Sequence, residues 1–430
     1  METRDLDALV YPDRVHRSIY LDPEIFEEEM TKIFAANWVY LAHESQIPEP
    51  NDFITTEMGR RPLIITRDAN GQIHALVNRC AHRASTVCQE ACGNAKRFTC
   101  GYHGWTYGND GALVGLPFPK GYPEGYDKSE HGLHRLPSVE SYRGFIFGSM
   151  NPDVEDVATW LAGAKEYLDY FIDRAPNGNI QVRNKHRLTF RGNWKLAWDN
   201  AGDGLHASFA HKSFALLNEA RYGGKKSLSQ FKHTPDDTGM FGEDLGNGHI
   251  FVDQRPGLSG TFWDTQRPIP GREHAADTVR SEQGDKADAL LEAAPGSMIN
   301  LSIFPNLLIK GNQMEILTPK SVNESELHLW ICAAADAPDE INTLRMRVAE
   351  DFPTLGNPDD IEIYERCQQG LEQVPEIEWM DTSKGLDVEE VFERDGNTIH
   401  RGAVTHDTPI RGYLREWKRA MAADPKVKLV

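Results

Sequence analysis

Cysteine, long apolar runs and net positive charge are scarce in this chain, and each scarcity excludes a class of protein. Six cysteines among 430 residues are too few for a disulfide-stapled scaffold. No stretch reaches the ~18 apolar residues that a membrane-spanning helix requires, and acidic Met1–Arg14 lacks the apolar core of a signal peptide. The net charge of −19 argues against nucleic acid or an anionic membrane as the main partner. The default expectation is a globular protein of the cytoplasm.

The pattern along the chain predicts two domains of mixed strands and helices. A length of 430 residues exceeds the usual size of one hydrophobic core. Helices are predicted over Pro23–His43, Trp194–Ala215 and Asp359–Glu372. Between Asp52 and Met150, short strand-like segments separated by turn residues predict an all-β domain. The segment Arg255–Gly284 is rich in proline, glycine and charge, which predicts a long loop or lid.

Four residues in the β region have the composition of a metal site. Cys80 and His82 form C-x-H, and after a gap of 17 residues Cys100 and His103 form C-x-x-H. Two thiolates and two imidazoles can bind zinc or a [2Fe–2S] cluster. Because each short loop offers one Cys and one His, the set suits a cluster whose two Cys hold one iron and whose two His hold the other.

Two plainer interpretations of this motif stay open. The same residues could form a structural zinc site, or they could be two Cys–His pairs that coincide by chance. Cys88 and Cys92 lie between the loops, but neither has a His partner at matching spacing. They are interpreted as thiols near the cluster without a catalytic part.

A second group of potential ligands lies in the middle of the chain. His206 and His211 are five residues apart, so a bulge or break between them is needed for both to bind one metal. Two His and one carboxylate make the facial triad of non-haem Fe(II) oxygenases. Asp359 and Asp360 are the candidate carboxylates, although carboxylates that merely stabilise a helix N-terminus are common. Asp203 lies about one turn before His206, where it can accept a hydrogen bond from an imidazole N–H.

Together these motifs resemble a known family, the large (α) subunits of Rieske non-haem iron ring-hydroxylating oxygenases. The similarity runs over essentially the whole chain, and its opening segment is most similar to the benzoate, toluate and anthranilate branch. The matching stretches are CAHRAS, CGYHGWTY, NWKLAWDNAGDGLHASFAH and GNPDDIEIYERCQQG, with SIYLDPEIFEEEMTKIFAANWVYLAHESQIP near the start. Ala84 stands where the family commonly has glycine.

The resemblance implies a role for each candidate ligand. It implies that the cluster is bound by Cys80, His82, Cys100 and His103, and a mononuclear Fe(II) by His206, His211 and Asp360. Asp203 matches a bridging carboxylate that links the iron site to the Rieske domain of a neighbouring subunit, and Asn200 matches a nearby amide.

The resemblance also implies a fold and an assembly. The fold class is α+β, with an N-terminal all-β Rieske domain and a helix-grip catalytic domain, in which a curved antiparallel sheet grips a long helix. The expected boundaries are a helical segment over residues 1–43 that packs on the catalytic domain, the Rieske domain over 44–153 and the catalytic iron domain over 154–430. The implied partners are an NADH-dependent reductase, with or without a ferredoxin, and a small β subunit in a trimeric core, α3β3 or α3.

The function implied by the resemblance is cis-dihydroxylation of an aromatic ring, in particular of an aromatic carboxylate. Electrons from NADH would pass through the reductase to the cluster and, via Asp203, to the iron, where O2 is activated. Asn300–Phe304 are expected, by the same resemblance, to line the substrate pocket. A monooxygenase or demethylase would use the same two centres. Two other classes remain, namely an electron-transfer protein that uses only the Rieske domain and a colourless, zinc-stapled binding protein.

Overall fold

The computed structural model of the protein describes most of the chain, in two compact units. The described residues are 6–222, 239–257, 263, 271–296 and 299–430. One unit comprises Glu28–Thr159 and Ala423–Val430, and the other comprises Met1–Glu27 and Trp160–Ala422. The domain boundaries after residues 43 and 153 stay a prediction, and the division by compactness falls after residues 27 and 159. Within the described residues, none of the helices has the length and apolar composition that crossing a membrane requires.

The strands in the first third of the described chain are short, and longer strands and helices follow. The strands are β1 (Arg14–His16), β2 (Val39–His43), β3 (Asp52–Met58), β4 (Arg61–Arg67), β5 (Ile73–Val77), β6 (Cys92–Asn94), β7 (Arg97–Thr99), β8 (Thr106–Gly108), β9 (Leu113–Gly115), β10 (Ser138–Tyr142), β11 (Phe145–Ser149), β12 (Ile180–Phe190), β13 (Phe241–Asp244), β14 (Ile250–Asp253), β15 (Ile299–Ile303), β16 (Leu307–Lys310), β17 (Gln313–Ser321), β18 (Glu324–Ala334), β19 (Trp379–Asp381), β20 (Glu390–Arg394) and β21 (Asn397–Ala403). The helices are α1 (Ser18–Leu21), α2 (Pro23–Lys32), α3 (Val157–Trp160), α4 (Ala164–Asp173), α5 (Lys195–Ala201), α6 (Ala207–Ala210), α7 (Lys212–Tyr222), α8 (Arg272–Gln283), α9 (Ala287–Ala293), α10 (Asp339–Leu355), α11 (Asn357–Gln373) and α12 (Thr408–Ala422).

The unit that contains Glu28–Thr159 is built from antiparallel sheets. Its strands pair in the orders β5–β4–β3–β6, β7–β8–β9 and β10–β11–β2. The hairpin from β4 to β5 turns at Asn70–Gly71, where the Asp68 carboxylate accepts hydrogen bonds from the N–H groups of Asn70 and Gln72. The all-β region predicted between Asp52 and Met150 is confirmed.

The core of this unit surrounds two of the predicted cluster ligands. Cys80 and Cys100 are both buried. They pack among the side chains of Phe53, Ile64, Leu76, Val87, Cys88, Phe98, Trp105, Tyr107, Leu113 and Leu133. An apolar shell of this kind limits solvent access to a metal site and influences its potential.

In the described part of the other unit, nine strands form one antiparallel sheet in the order β12–β18–β17–β16–β15–β14–β13–β21–β20. The long helix α12 packs on this sheet with Tyr413 and Trp417 buried, one turn apart on one face. Gly412 permits the close approach, because a Cβ at this position would lie 2.6 Å from the Cβ of Asp244 on β13. Arg415 forms an ion pair with Asp244 at 2.6 Å. The predicted α+β fold with a helix-grip catalytic domain is confirmed.

The helix predicted over Pro23–His43 is too long. It ends at Lys32, and Val39–His43 is the strand β2. Every residue of that strand is buried. Its consecutive apolar residues, Val39–Ala42, have no period that distinguishes a buried strand from a buried helix.

The loop predicted over Arg255–Gly284 is wrong in part. Arg272–Gln283 forms the helix α8, while residues 258–262 and 264–270 of that segment lie outside the described residues. The helix predicted over Asp359–Glu372 is confirmed as α11.

Candidate metal centres

Cys80 and Cys100 begin two loops that share the same backbone hydrogen bonds. In each loop the cysteine N–H donates to the carbonyl group five residues ahead, at 2.8 Å. The N–H group four residues ahead, that of Ala84 or Gly104, donates back to the cysteine carbonyl at 3.0 or 2.9 Å. Two equivalent turns therefore each present one Cys and one His.

The two thiols and two imidazoles of these loops converge. The ring centroids of His82 and His103 are 4.5 Å apart, and the thiols of Cys80 and Cys100 lie within hydrogen-bonding reach of each other. Burial raises the pKa of Cys100, but the N–H group of Tyr102, the Cys80 thiol and the N–H group of His103 outweigh it, so the pKa lies below its usual value. The loop therefore favours the thiolate, which is the form that binds metal.

Two aromatic residues beside these ligands carry no role in the sequence interpretation. Trp105 stacks on His82, with ring centroids 5.0 Å apart and planes 6° apart. The hydroxyl oxygen of buried Tyr107 lies 3.1 Å from the Cys80 sulfur and accepts a hydrogen bond from the N–H of Ala81 at 3.1 Å. Its own proton is then available to the sulfur, and hydrogen bonds to ligand sulfurs tune the potential of a cluster. Both residues follow the second Cys–His loop closely, which is the signal that could have identified them.

The arrangement fits a Rieske-type [2Fe–2S] cluster. The Nδ1 atom of His82 is buried and has no hydrogen-bond partner among the described residues, and a metal bond would satisfy such an atom. The two nearby cysteines are poor alternatives. Burial raises the pKa of Cys88 to about 11, and Cys92 is exposed on β6.

Ala84 and Gly104 occupy equivalent positions in the two turns, and both have a left-handed backbone, with φ of +62° and +70°. Glycine adopts this conformation at no steric cost, whereas the Cβ of alanine crowds the following carbonyl oxygen. Ala84, which stands where the family commonly has glycine, therefore has a strained backbone beside the cluster ligands.

Replacing Ala84 with glycine is expected to stabilise this unit by about 0.5–1 kcal/mol, because relief of roughly 1–2 kcal/mol of strain exceeds the entropy gained by the unfolded chain. The control is Ala81→Gly in the same loop, where φ is not positive and a loss of stability is expected. The measurement is the urea concentration at which the cluster-loaded protein loses its visible absorbance. A lower midpoint for Ala84→Gly than for wild type would contradict the strain.

The helix predicted over Trp194–Ala215 is three helices. The first, α5, ends at Ala201, the second, α6, covers only Ala207–Ala210, and α7 begins at Lys212. The prediction of a single helix with one break near the histidines is therefore wrong in part, because the structure contains two breaks.

The interruptions place His206 and His211 on either side of α6, where they cap its two ends. The break before α6 contains Gly204, at which a Cβ would lie 2.6 Å from the carbonyl oxygen of Val404. Only glycine fits there without moving the backbone. The break predicted between His206 and His211 lies at His211 itself, whose backbone is not helical, while the four residues between them form α6.

His206, His211 and Asp360 meet although Asp360 comes from the distant helix α11. The Oδ1 atom of Asp360 lies 3.6 Å from Nε2 of His206 and 3.2 Å from Nε2 of His211. One ligand atom from each residue lies within 4.8 Å of the other two. Two imidazoles and one carboxylate are the donor set of mononuclear non-haem Fe(II) sites, and the residues fit that metal.

Asp359, the alternative carboxylate, has different contacts. It accepts hydrogen bonds from the Ser213 hydroxyl at 2.9 and 3.0 Å. It also lies 3.5 Å from Nδ1 of His211, the ring nitrogen other than the one near Asp360. The structure therefore places Asp360 near the Nε2 atoms of both histidines, and Asp359 near the other ring nitrogen of His211.

Asn200 and Tyr364 hold the Asp360 carboxylate. The Asn200 amide donates to Oδ1 of Asp360 at 3.1 Å, and the Tyr364 hydroxyl donates to the Asn200 side-chain oxygen at 3.1 Å. Burial raises the pKa of Asp360, but a hydrogen bond with His211 and nearby positive charge outweigh it, so the pKa lies below its usual value. Burial lowers the pKa of His206, which favours the neutral imidazole that binds metal.

Asp203 caps the turn that leads to His206. Its Oδ1 atom accepts hydrogen bonds from the N–H groups of Leu205 at 2.6 Å and His206 at 3.3 Å. Its Oδ2 atom lies 3.8 Å from Nδ1 of His206, and 34% of the side chain is exposed. At that distance the hydrogen bond expected between Asp203 and the imidazole N–H is not formed, and Nδ1 of His206 has no hydrogen-bond partner among the described residues. Asp203 therefore fixes the backbone turn before His206, and one edge of its carboxylate remains accessible.

Lys310, Glu315 and Asn357 form a polar group beside this site that sequence reasoning missed. The Nζ atom of Lys310 lies 3.2 Å from Oε2 of Glu315, and the Asn357 amide donates to Oε1 of Glu315 at 2.9 Å. Asn357 lies about one helical turn before Asp360 on α11. The sequence spacing does not predict this group, because Asn357 is distant in the sequence and meets Glu315 only when the sheet packs against α11.

Asp199 lies next to Asn200 and is bound by two tyrosines. The hydroxyl groups of Tyr413 and Tyr20 donate to its carboxylate, that of Tyr20 at 3.0 Å. Burial raises the pKa of Asp199 to about 6, although these hydroxyl groups and the charge of Lys195 lower it in part.

Replacing Asp199 with asparagine is expected to change how stability depends on pH. Because the folded-state pKa of about 6 is raised, the contribution of Asp199 is fully present below roughly pH 4 and is lost as the pH rises through about 6. In urea unfolding followed by tryptophan fluorescence, wild type should therefore lose stability relative to Asp199→Asn across that range. A difference between the two proteins that stays constant with pH would contradict the raised pKa.

Comparison with known proteins covers both units. Residues 37–140 match the Rieske [2Fe-2S] domain, and residues 160–423 match the catalytic domain of the ring-hydroxylating alpha subunits. The chain is 35% identical to toluate 1,2-dioxygenase subunit alpha of Pseudomonas putida, over 85% of this chain and 82% of that protein. It is 34% identical to the anthranilate 1,2-dioxygenase large subunit of Acinetobacter baylyi, over 86% and 80%. A solved structure of naphthalene 1,2-dioxygenase with indole bound matches with a TM-score of 0.79 at 25% identity, over 96% of this chain and 92% of that one.

These matches confirm the expected family, enzyme class and cofactors. Proteins of this family are multicomponent oxygenases that act on aromatic substrates with O2 and electrons from a reductase, and they form oligomers. The chain belongs to the ring-hydroxylating dioxygenase alpha subunits, with a Rieske [2Fe-2S] domain followed by a catalytic domain that uses mononuclear iron.

Proposed function

We propose that this chain is the terminal oxygenase subunit that cis-dihydroxylates an aromatic carboxylate. The observation that carries the proposal is the convergence of His206, His211 and Asp360 within 4.8 Å in a chain that also folds a Rieske domain. An electron-transfer protein that used only the cluster would have no need of this second donor set. A zinc-stapled binding protein could use the Cys–His turns but would have no need of the triad.

The proposal assigns each predicted ligand a place. Cys80, His82, Cys100 and His103 would hold the cluster, and His206, His211 and Asp360 would hold the iron. When bound, the cluster supplies single electrons and the iron supplies open coordination positions for O2 and substrate.

The surrounding residues keep the triad in one geometry. Asn200 fixes the rotation of the Asp360 carboxylate through its hydrogen bond at 3.1 Å, and Tyr364 fixes Asn200. Asp203 fixes the backbone turn that leads to His206 by accepting hydrogen bonds from the N–H groups of Leu205 and His206. Its exposed edge suits the bridging role towards a neighbouring subunit that the family resemblance implies, and we propose that role for it.

The substrate class and partners follow from the relatives. Toluate and anthranilate are both aromatic carboxylates, and the relatives named for them match over most of their length. The words "subunit alpha" and "large subunit" in their names support a small β subunit. We propose an α3β3 or α3 core served by an NADH-dependent reductase, with or without a ferredoxin. A cytoplasmic location stays a prediction.

The test is product analysis with isotopically heavy O2. The iron-loaded protein is incubated with heavy O2, a compatible reductase, NADH and a panel of benzoate-like acids and neutral aromatics. The masses of the products are then measured by mass spectrometry. Two heavy oxygen atoms in one ring-hydroxylated acid are expected. A single heavy atom would indicate a monooxygenase or demethylase, and labelled products from neutral aromatics alone would overturn the carboxylate class.

A further inference from the structure

Lys310 is a cation on the face of the sheet that meets α11. Strand register places Lys310 directly opposite Gln313 on β17 and opposite Asn300 on β15. Residues paired in this way point to the same face of a sheet. Glu315, two residues beyond Gln313, shares that face as well.

Contacts link this face to the triad. Glu315 is in ion-pair contact with Lys310 at 3.2 Å and accepts a hydrogen bond from Asn357 on α11 at 2.9 Å. Asn357 and Asp360 are three residues apart on that helix and therefore lie on the same side of it. The ammonium of Lys310 is close enough for its charge to lower the pKa of both Asp360 and His206.

Lys310 is charged, and a small part of its side chain is accessible. Glu315 is fully buried, but 13% of the Lys310 side chain remains accessible. Burial lowers the pKa of Lys310, yet Glu315 and Asp360 outweigh this, so the pKa lies above its usual value and the cation persists at neutral pH. An ammonium has three N–H donors, and among the described residues only Glu315 lies within ion-pair distance of it.

We propose that Lys310 binds the carboxylate of the substrate and so selects aromatic acids over neutral aromatics at the iron site. This inference rests on the proposed function, which it extends by naming the residue that determines specificity. Gln313 and Asn357, which donate to Glu315 at 2.6 and 2.9 Å, hold the Glu315 carboxylate in place. That carboxylate in turn holds the ammonium, and Asn300, the cross-strand neighbour of Lys310, is itself partly accessible beside it.

The test compares the binding of benzoate and of benzamide, which has nearly the same shape but no charge. Binding is measured by calorimetry on the iron-loaded protein without O2. Wild type is expected to bind benzoate more tightly, and Lys310→Met should weaken benzoate binding about 10- to 100-fold, the range for loss of one charged hydrogen bond. Benzamide binding should change by less than about threefold. Lys165→Met, the same change at an exposed position on α4, should leave both affinities as in wild type.

A second variant separates binding from folding. Lys310→Met leaves Glu315 buried without its cation, which can destabilise the unit. In Lys310→Met combined with Glu315→Gln this charge is removed, and the same loss of benzoate preference is expected. A benzoate-to-benzamide ratio equal to wild type in both variants, or a wild type without preference for benzoate, would overturn the role of Lys310.

The outcomes distinguish this inference from the proposed function. If wild type adds two heavy oxygen atoms to aromatic acids while the Lys310 variants keep the wild-type ratio, the inference fails and the dioxygenase stands. If the ratio depends on Lys310 but no doubly labelled product forms, the carboxylate site stands and the dioxygenase fails.

Discussion

Replacing Asp360 with alanine is expected to remove the mononuclear iron and to lower product formation by at least ~10³-fold, because a two-His site without its carboxylate no longer holds Fe(II). The visible absorbance of the cluster should remain, since its ligands lie in the other unit. The measurements are iron content, the visible spectrum and product formation with reductase and benzoate.

The matched control is the neighbouring residue. Asp359→Ala removes hydrogen bonds with Ser213 and the contact with Nδ1 of His211. Such outer contacts affect metal affinity or activity by about 10- to 100-fold, so this variant should retain iron after purification. Loss of iron from Asp359→Ala, with iron retained in Asp360→Ala, would show that the other carboxylate is the ligand.

Replacing Cys100 with alanine is expected to abolish the cluster and with it all reductase-driven turnover. Cys100 is buried and its loop favours the thiolate, so removal leaves one iron of the cluster with a single sulfur ligand from the protein. The measurements are the visible spectrum and the amount of acid-labile sulfide in the purified protein.

The control for this loss is Cys92→Ala, which removes an exposed thiol from the same unit. It should leave spectrum and turnover close to wild type. A cluster that survives in Cys100→Ala, or one that is lost in Cys92→Ala, would contradict the assignment of the ligands.

The cluster ligands were predictable from the sequence because each turn is local. A Cys and a His two or three residues apart must lie close together, and the repeated turn after Cys80 and after Cys100 needs only its own backbone hydrogen bonds. The strain at Ala84 could be suspected only after its turn was matched to that of Gly104.

The iron site was predictable only in part. The spacing of His206 and His211 predicted a break in the helix, which lies at His211. It did not predict the second break, which Gly204 and Val404 force before α6. The choice of Asp360 over Asp359 came from family resemblance, since both begin the same helix and only tertiary contacts separate them. Lys310 carried no signal, because its neighbours come from a strand pair and a helix that are distant in sequence.

The helix predicted over Pro23–His43 was too long for a related reason. The strand Val39–His43 begins with four consecutive apolar residues, a pattern that a buried strand and a helix share. Its pairing with β11 decides the outcome, and that partner lies about a hundred residues further along the chain, beyond the reach of local periodicity.

The decisive measurement is a single turnover without the reductase. The protein is reduced chemically without O2, freed of excess reductant, and mixed with heavy O2 in the presence or absence of benzoate. With benzoate, the cluster should be oxidised and a cis-diol with two heavy oxygen atoms should form in proportion to it, and Asp360→Ala should give neither. Oxidation of the cluster at the same rate with and without benzoate, and without any diol, would contradict a reaction that needs both centres of this chain.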